Sequence, residues 1–578
     1  MSDYTNSDDK KKVEIISTTF IESDTDNKSE GKVENTTEVD AEDTVNDDYI
    51  TSFFEMSNEA RSEDERDKKM TLKEGFKMFP KAVIWSTVIS CAIIMEAYDQ
   101  NLLSSFYAYP AFAKRFGVYY PKLNKWEIPA KWQMGWAMSY QTTQLIGLYL
   151  SSHFVDKIGY KKTIMFPLVA SIALIFLQFF APTKEVLLVA YVFLGLFWGC
   201  FQSITVTYAA EVAPVSLRGY QTSLVNAFWV IGKLISSGTV KGISNMENPN
   251  AYKIAYAIQW IWPVPLLIGV YFAPESPWQL VRRGKVQAAK KAVCRLISTP
   301  NNEVVADQMV TKMQMTLAEE SITTKGVSIL DLFKGNNLRR TFIVSMLWNS
   351  QRLAGGAISN YSTYFYEQAG LSVSNAFTFT VGEHCLSLFG NIIAWIAIKK
   401  FGYYTIYLFG LIMMFICMML AGIFGSYKGN STGWGAGSSL LIFSFFSDLS
   451  VGPLVYILVS EIPSARLRNK TVMFGRLTYL VIGIITSIIT PYMLNPASWA
   501  WGAKTGYFYG GFGFIFIVWS IFCLPETKGL TFAEIDWLFE NKIHARKFKS
   551  TKVNLFDAEK LVQKLGSDGV KDVVKERD

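Results

Sequence analysis

Several charged side chains interrupt long apolar runs in this 578-residue chain: Glu96, Asp99, Lys233, Glu383, Asp448 and Arg476. His384 sits beside Glu383, and Arg352 lies near the start of another run. At the centre of a membrane helix each such charge costs about 2.5–3.5 kcal/mol, so it is kept for a function or for a partner. Glu96 and Asp99 are three residues apart and share one helical face. Two carboxylates so placed can take up a proton on one side of a membrane and release it on the other. Lys233 and Arg476 are candidate counter-charges, and Lys233 is expected to pair with Asp99 or Glu96. Four acids against three permanent cations also fit a set of structural ion pairs.

These groups need helices to hold them. Half of the residues are hydrophobic and only 18% are charged, against about 25% in an ordinary globular chain. Apolar segments of spanning length lie near 82–105, 132–155, 163–181, 186–210, 221–241, 254–273, 341–366, 375–398, 404–425, 437–460, 471–494 and 505–524. Lipid offers no partner to an unpaired backbone group, so the spans must be helical. Twelve spans with a long loop after the sixth predict an all-α membrane protein of two six-helix halves.

The predicted organisation is a disordered, cytoplasmic N-terminal tail over 1–75, a six-helix bundle over 76–273 and a cytoplasmic central loop over 274–340. A second six-helix bundle over 341–525 and a cytoplasmic tail over 526–578 follow. The first 75 residues are polar and acidic, with too little apolar surface to offset ordering. They lack a basic segment followed by an apolar one, so no cleaved signal peptide is expected. The Lys and Ser/Thr of the tails suit modification by a ubiquitin or endocytic machinery as well as simple solvation. Lys and Arg gather in alternate loops (Lys157, Lys161, Lys162, Arg218, Lys399, Lys400, Arg466, Arg468, Lys470 and the central loop), which places both termini inside. The sequon Asn430-Ser431-Thr432 then falls on an outer loop as a glycosylation acceptor.

The two halves repeat. Glu211-Val-Ala-Pro-Val-Ser-Leu-Arg218 returns as Glu461-Ile-Pro-Ser-Ala-Arg-Leu-Arg468, offset by 250 residues. Pro274-Glu275-Ser276-Pro277 returns as Pro525-Glu526-Thr527-Lys528 at nearly the same offset, and Asp156-Lys157-Ile158-Gly159-Tyr160 faces Lys399-Lys400-Phe401-Gly402-Tyr403. A duplicated helix bundle is the architecture of transporters.

Pro525-Glu526-Thr527-Lys528-Gly529 and Pro274-Glu275-Ser276-Pro277 resemble the signatures of the sugar porter family of the major facilitator superfamily. Trp198-Gly199-Cys200-Phe201-Gln202, Tyr361-Ser362-Thr363-Tyr364-Phe365-Tyr366-Glu367 and the run from Ala545 to Val553 are similar to segments of fungal maltose and general α-glucoside permeases. The resemblance spans roughly residues 76–550. It implies a proton-coupled importer of α-glucosides in the plasma membrane. Ala97-Tyr98-Asp99 resembles the Gly-Tyr-Asp whose Asp takes up the proton, and the matching Glu96 and Arg476 join the coupling network. Gln351 resembles the family's sugar-binding Gln.

Three positions depart from the pattern. Tyr191 stands where relatives carry an Arg, Gln144 where the α-glucoside permeases carry a Glu, and Lys233 where a sugar-binding Gln is usual. Lys donates hydrogen bonds but accepts none, so it cannot replace Gln in kind. It can partner an acid or draw an anionic substrate. The first-half inner motif is eroded too, with Ser152 for Gly and Tyr160 for Arg.

A sugar presents hydroxyls at its rim and C–H faces for stacking, so amides and aromatic rings should build the site. Asn360, Tyr361, Tyr364, Asn226 and Trp229 join Gln351 as candidates, with Gln202 and Gln259 behind them. At the inner ends, Asp156, Glu211, Arg218, Glu461, Arg466 and Arg468 can form a cytoplasmic gate by exchanging ion pairs, or can simply anchor helix ends at the interface.

Other functions find no support. There is no P-loop, the three His (153, 384, 544) are far apart, and no nucleophile stands with a base, so neither a metal, a cofactor nor enzyme catalysis is expected. The net charge of +7 lies on loops beside apolar runs, unlike a nucleic-acid footprint. The six Cys fall almost wholly in apolar segments and imply no disulfide framework. The sequence thus predicts a proton-coupled α-glucoside symporter working in the lipid bilayer by alternating access. The alternatives are a porter with changed cargo (another sugar, a polyol or an anion), one uncoupled from protons, or a sugar receptor that signals without transport.

Overall fold

The computed structural model describes residue 66 and residues 70–551, apart from 247, 300–301, 325–327, 428–431, 465–466 and 531. The first helix whose bounds lie within the described residues is α1 (Leu72–Met78). It starts inside the segment expected to be a disordered tail to residue 75. Thr71 Oγ1 accepts from the Glu74 amide while Glu74 accepts from the Thr71 amide, and this capping box sets the helix start.

The helices that follow are α2 (Pro80–Phe106) and α3 (Pro110–Phe116), then α4 (Ala130–Ile158), α5 (Tyr160–Phe179), α6 (Lys184–Val212), α7 (Val215–Ile243) and α8 (Tyr252–Phe272). Between α3 and α4 a short antiparallel hairpin pairs β1 (Val118–Tyr120) with β2 (Lys125–Glu127). The central segment folds as α9 (Pro277–Arg282), α10 (Val286–Leu296) and α11 (Asn302–Thr324). A broken helix comes next, α12 (Gly335–Gln351) and α13 (Ser362–Gln368), joined through a π-turn at Arg352–Gly356. The chain ends in α14 (Val373–Lys400), α15 (Tyr403–Ser426), α16 (Thr432–Glu461), α17 (Arg468–Leu494), α18 (Thr505–Cys523) and α19 (Phe532–Glu540).

Among the described residues, nine helices are long and apolar enough to cross a membrane. The long helices α4 and α7 and the broken pair α12–α13 fall outside that set. They carry Gln133, Gln141 and Gln144, Asn226 and Lys233, and Asn349, Gln351 and Arg352. Their polarity faces protein rather than lipid, which is why hydropathy alone passes them over.

Two compact units can be described separately. One comprises residues up to 83, 211–218 and 274–323. In it, the Ser298 amide donates to the Met78 carbonyl at 2.9 Å, and Ala289, Ala292, Val293 and Leu296 bury the apolar face of α10. Arg282 pairs with Glu211 at 2.7 Å, and the Ser276 hydroxyl donates to the same carboxylate.

The larger unit holds the rest of the spanning helices. Small residues let α4 and α6 touch. A Cβ on Gly147 would stand 1.9 Å from the Leu196 carbonyl oxygen, so the backbones meet where only Gly fits. A nest of buried rings (Phe106, Phe112, Trp136, Tyr252, Tyr256) packs the end of α2. In the broken helix Gly355 has φ +124°, and a Cβ there would stand 2.7 Å from Met418 and Phe443. Both the left-handed backbone and the space demand glycine.

Candidate functional site

The helix α2 presents two buried acids one turn apart, each held by neutral amides. Glu96 Oε1 accepts from Gln144 at 2.7 Å, Gln202 at 2.9 Å and Gln100 at 3.0 Å, while its Oε2 is buried with no hydrogen-bond partner. Asp99 accepts from Gln259 at 2.7 Å and from Gln178 at 3.2 Å. Tyr191, in the place of the expected Arg, donates or accepts with Tyr256 at 3.1 Å.

Arg476 reaches the first acid through an amide. Its guanidinium meets Gln202 Oε1 at 3.4 Å, and Gln202 Nε2 passes the contact to Glu96. It also lies over the Trp348 and Tyr479 rings, at 4.7 and 4.6 Å. Arg352 covers Tyr479 as well, at 4.6 Å. One phenol ring is thus shared by two guanidiniums.

Lys233 is placed otherwise than the sequence suggested. Its ammonium donates to Asn360 Oδ1 at 3.3 Å and forms no ion pair with Asp99 or Glu96. Asp99 is met instead by the Gln178 and Gln259 amides and Glu96 Oε1 by three amides, while the Lys233 ammonium lies at Asn360.

A pocket opens beside these groups. Gln100, Asn101, Tyr107, Gln141, Trp229 and Tyr361 are among its lining, together with Lys233, Arg352 and Asn360. Tyr361 stacks on Tyr107 with ring centroids 6.0 Å apart. Of the sequence candidates for a sugar site, Asn360, Tyr361 and Trp229 line the pocket. The others lie elsewhere. Gln351 gives its amide to the Gly452 carbonyl at 3.1 Å, and Asn226 donates to Asn391 at 3.2 Å. Tyr364 donates to Glu127 at 2.5 Å, and Gln259 serves Asp99. Arg352, Gln141 and Asn101 were not singled out as sugar contacts. Only the Arg352 charge in an apolar run had marked its position.

The inner-end residues divide. Glu211 is bound by Arg282 and Ser276, and Glu461 accepts from Thr527 at 2.6 Å. Arg468 lies within electrostatic reach of Glu461 and Asp536. Asp156 is exposed near the end of α4. Arg466 and the Arg218 side chain lie outside the described residues, as do Asn430 of the sequon and the tails before 66 and after 551. Contacts between the first six spans and the last six include Lys125 with Glu367 at 2.5 Å, Tyr364 with Glu127, Ser105 with Thr363 at 3.2 Å and Lys241 with Ser374 at 2.7 Å, besides those of Gln202 with Arg476, Lys233 with Asn360 and Asn226 with Asn391.

Residues 85–539 match the family model described as "Sugar (and other) transporter". The chain belongs to the sugar transporter family. This sugar transporter is 40% identical over 505 residues to a general alpha-glucoside permease of Saccharomyces cerevisiae, covering 86% of this chain and 81% of that one. It is 38% identical over 511 residues to a maltose permease of the same organism, covering 88% and 83%. Among solved structures it is similar to the inward-open, partially occluded xylose transporter of E. coli, with TM-score 0.63, 18% identity, and 78% and 99% of the two chains covered. A second structure, of a proton:xylose symporter of the major facilitator superfamily bound to 6-bromo-6-deoxy-D-glucose, gives TM-score 0.62 at 20% identity, with 79% and 99% covered. The fold is that of the major facilitator superfamily, and the sugar transporter is a multi-pass membrane protein.

Proposed function

We propose that this transporter imports α-glucosides such as maltose together with a proton, across the plasma membrane, with both termini in the cytoplasm. The halves at 76–273 and 341–525 would rock about the pocket in alternating access. One observation carries the reading: α2 offers Glu96 and Asp99, both buried, next to Gln100, Asn101 and Ser104 that line the pocket. Proton and sugar would then be felt by one helix. The names of the yeast relatives support the cargo, and that of the xylose neighbour supports the coupling. Arg476, through Gln202, and Lys233 would set the field around the acids. A proton crossing a potential of 100 mV contributes about 2.3 kcal/mol, enough for accumulation of several tenfold.

The test is the external pH of a lightly buffered suspension of transporter-deficient yeast expressing the chain, on adding maltose. Prompt alkalinisation is expected, and its loss in Asp99→Asn. Labelled maltose that stays outside, with no pH change, would overturn the assignment.

A further inference from the structure

The pocket is lined by two basic side chains, Lys233 and Arg352, and by no Asp or Glu. Lys233 meets a neutral amide, Asn360. Arg352 rests on the Tyr479 ring, and its Nε is buried with no hydrogen-bond partner. The two lie within electrostatic reach of each other.

The buried acids do not neutralise them by contact. Glu96 and Asp99 are held by glutamine amides, Glu383 by Ser444 at 2.7 Å, Ser359 and Tyr366, and Asp448 by Asn391 at 3.4 Å. Glu383 and Asp448 act on Lys233 only across space, and none of the four forms an ion pair with Lys233 or Arg352 among the described residues. Across space Lys233 feels the two acids more strongly than it feels Arg352, yet neither acid lines the pocket or contacts either base. A carboxylate seated in the pocket would give both a direct partner, and a guanidinium matches its two oxygens in a fork.

We infer that the pocket, a cavity of about 30 Å³ here that must widen to admit its cargo, takes a saccharide bearing a carboxylate, held between Lys233 and Arg352, with its sugar ring against Tyr107, Tyr361 and Trp229. The inference rests on the α-glucoside reading and narrows it to α-glucosides with an oxidised end, of which maltobionate is the simplest probe. Maltitol is its neutral open-chain counterpart of the same length.

The test uses the purified full chain. Thermal stabilisation is titrated with maltobionate, maltitol and maltose, and uptake of labelled maltobionate and maltose is followed in transporter-deficient yeast. Maltobionate is expected to bind about tenfold or more tighter than maltitol, as one charge-assisted contact allows. Lys233→Gln and Arg352→Gln should each bring that ratio toward one. The wild-type ratio needs no variant, so a variant that fails to fold does not spoil the test. Maltose imported with alkalinisation but maltobionate no tighter than maltitol overturns the inference and leaves the proposed function standing. Maltobionate bound and imported while maltose is not supports the inference and removes neutral maltose as cargo. Binding of neither overturns both.

Discussion

The Thr527 hydroxyl donates to the Glu461 carboxylate at 2.6 Å, and Ser276 makes the same bond to Glu211 in the other half of the repeat. Two motifs paired by sequence offset are thus paired again by contact. Each hydroxyl follows the last span of its half and grips the acid that ends the fourth.

Removing one hydroxyl leaves a partly buried carboxylate short of a donor. Thr527→Ala is expected to lower stability by about 1–3 kcal/mol, seen as a fall in the melting temperature of the purified protein. Thr527→Ser should restore most of it. Equal melting of Ala and wild type would show the bond to be idle.

Gln202 joins Arg476 to Glu96 across the two halves. Gln202→Ala should cut accumulation of sugar against a gradient while leaving downhill exchange in place, because the acid loses its link to the moving cation. Labelled-sugar accumulation ratios at several external pH values check this. Unchanged ratios would remove Gln202 from the coupling path.

At Gly147 an added methyl meets the Leu196 backbone rather than a yielding side chain. Gly147→Ala is expected to cost about 1–3 kcal/mol through overpacking. Melting of the purified variant, and its yield at the cell surface, measure the loss.

Burial holds the Glu127 carboxyl above its ordinary range, against the opposing pull of Lys125 and Tyr364. Glu127 thus binds its proton more tightly here than where water reaches it. Its contribution to closing this end is fully present below the ordinary carboxylate value, about 4.3, and is lost as pH rises through the raised one. Spin labels at Asn124→Cys and Ser372→Cys should report more of the closed distance as pH falls through that interval, and Glu127→Gln should flatten the response. A pH-independent distance would show that Glu127 does not report on closure.

The spans were legible because lipid demands helices about 20 residues long, and the duplication was written in its motifs. Which amide holds which acid was not. Gln178 and Gln259 reach Asp99 from spans 79 and 160 residues away, and only packing brings them there. Lys233 looked like a partner for Asp99 or Glu96, and the structure puts its ammonium at Asn360 instead. The seventh span was expected as one continuous segment over 341–366, and the break at Arg352–Gly356, with Gly355 left-handed, was not foreseen.

That break has a consequence for selectivity. Beyond it, Asn360 and Tyr361 line the pocket, while Tyr364 and Glu367 grip the hairpin residues Glu127 and Lys125. Eight consecutive residues thus join the pocket wall to the hairpin grip. On the proposed function they would be both the finger that feels the cargo and the bolt that locks the door. A molecule that seats badly against the finger would leave the bolt undrawn. Poor cargoes would then be turned away by slow crossing rather than by weak binding, and a tight inhibitor would need only to fill the pocket without letting the bolt slide.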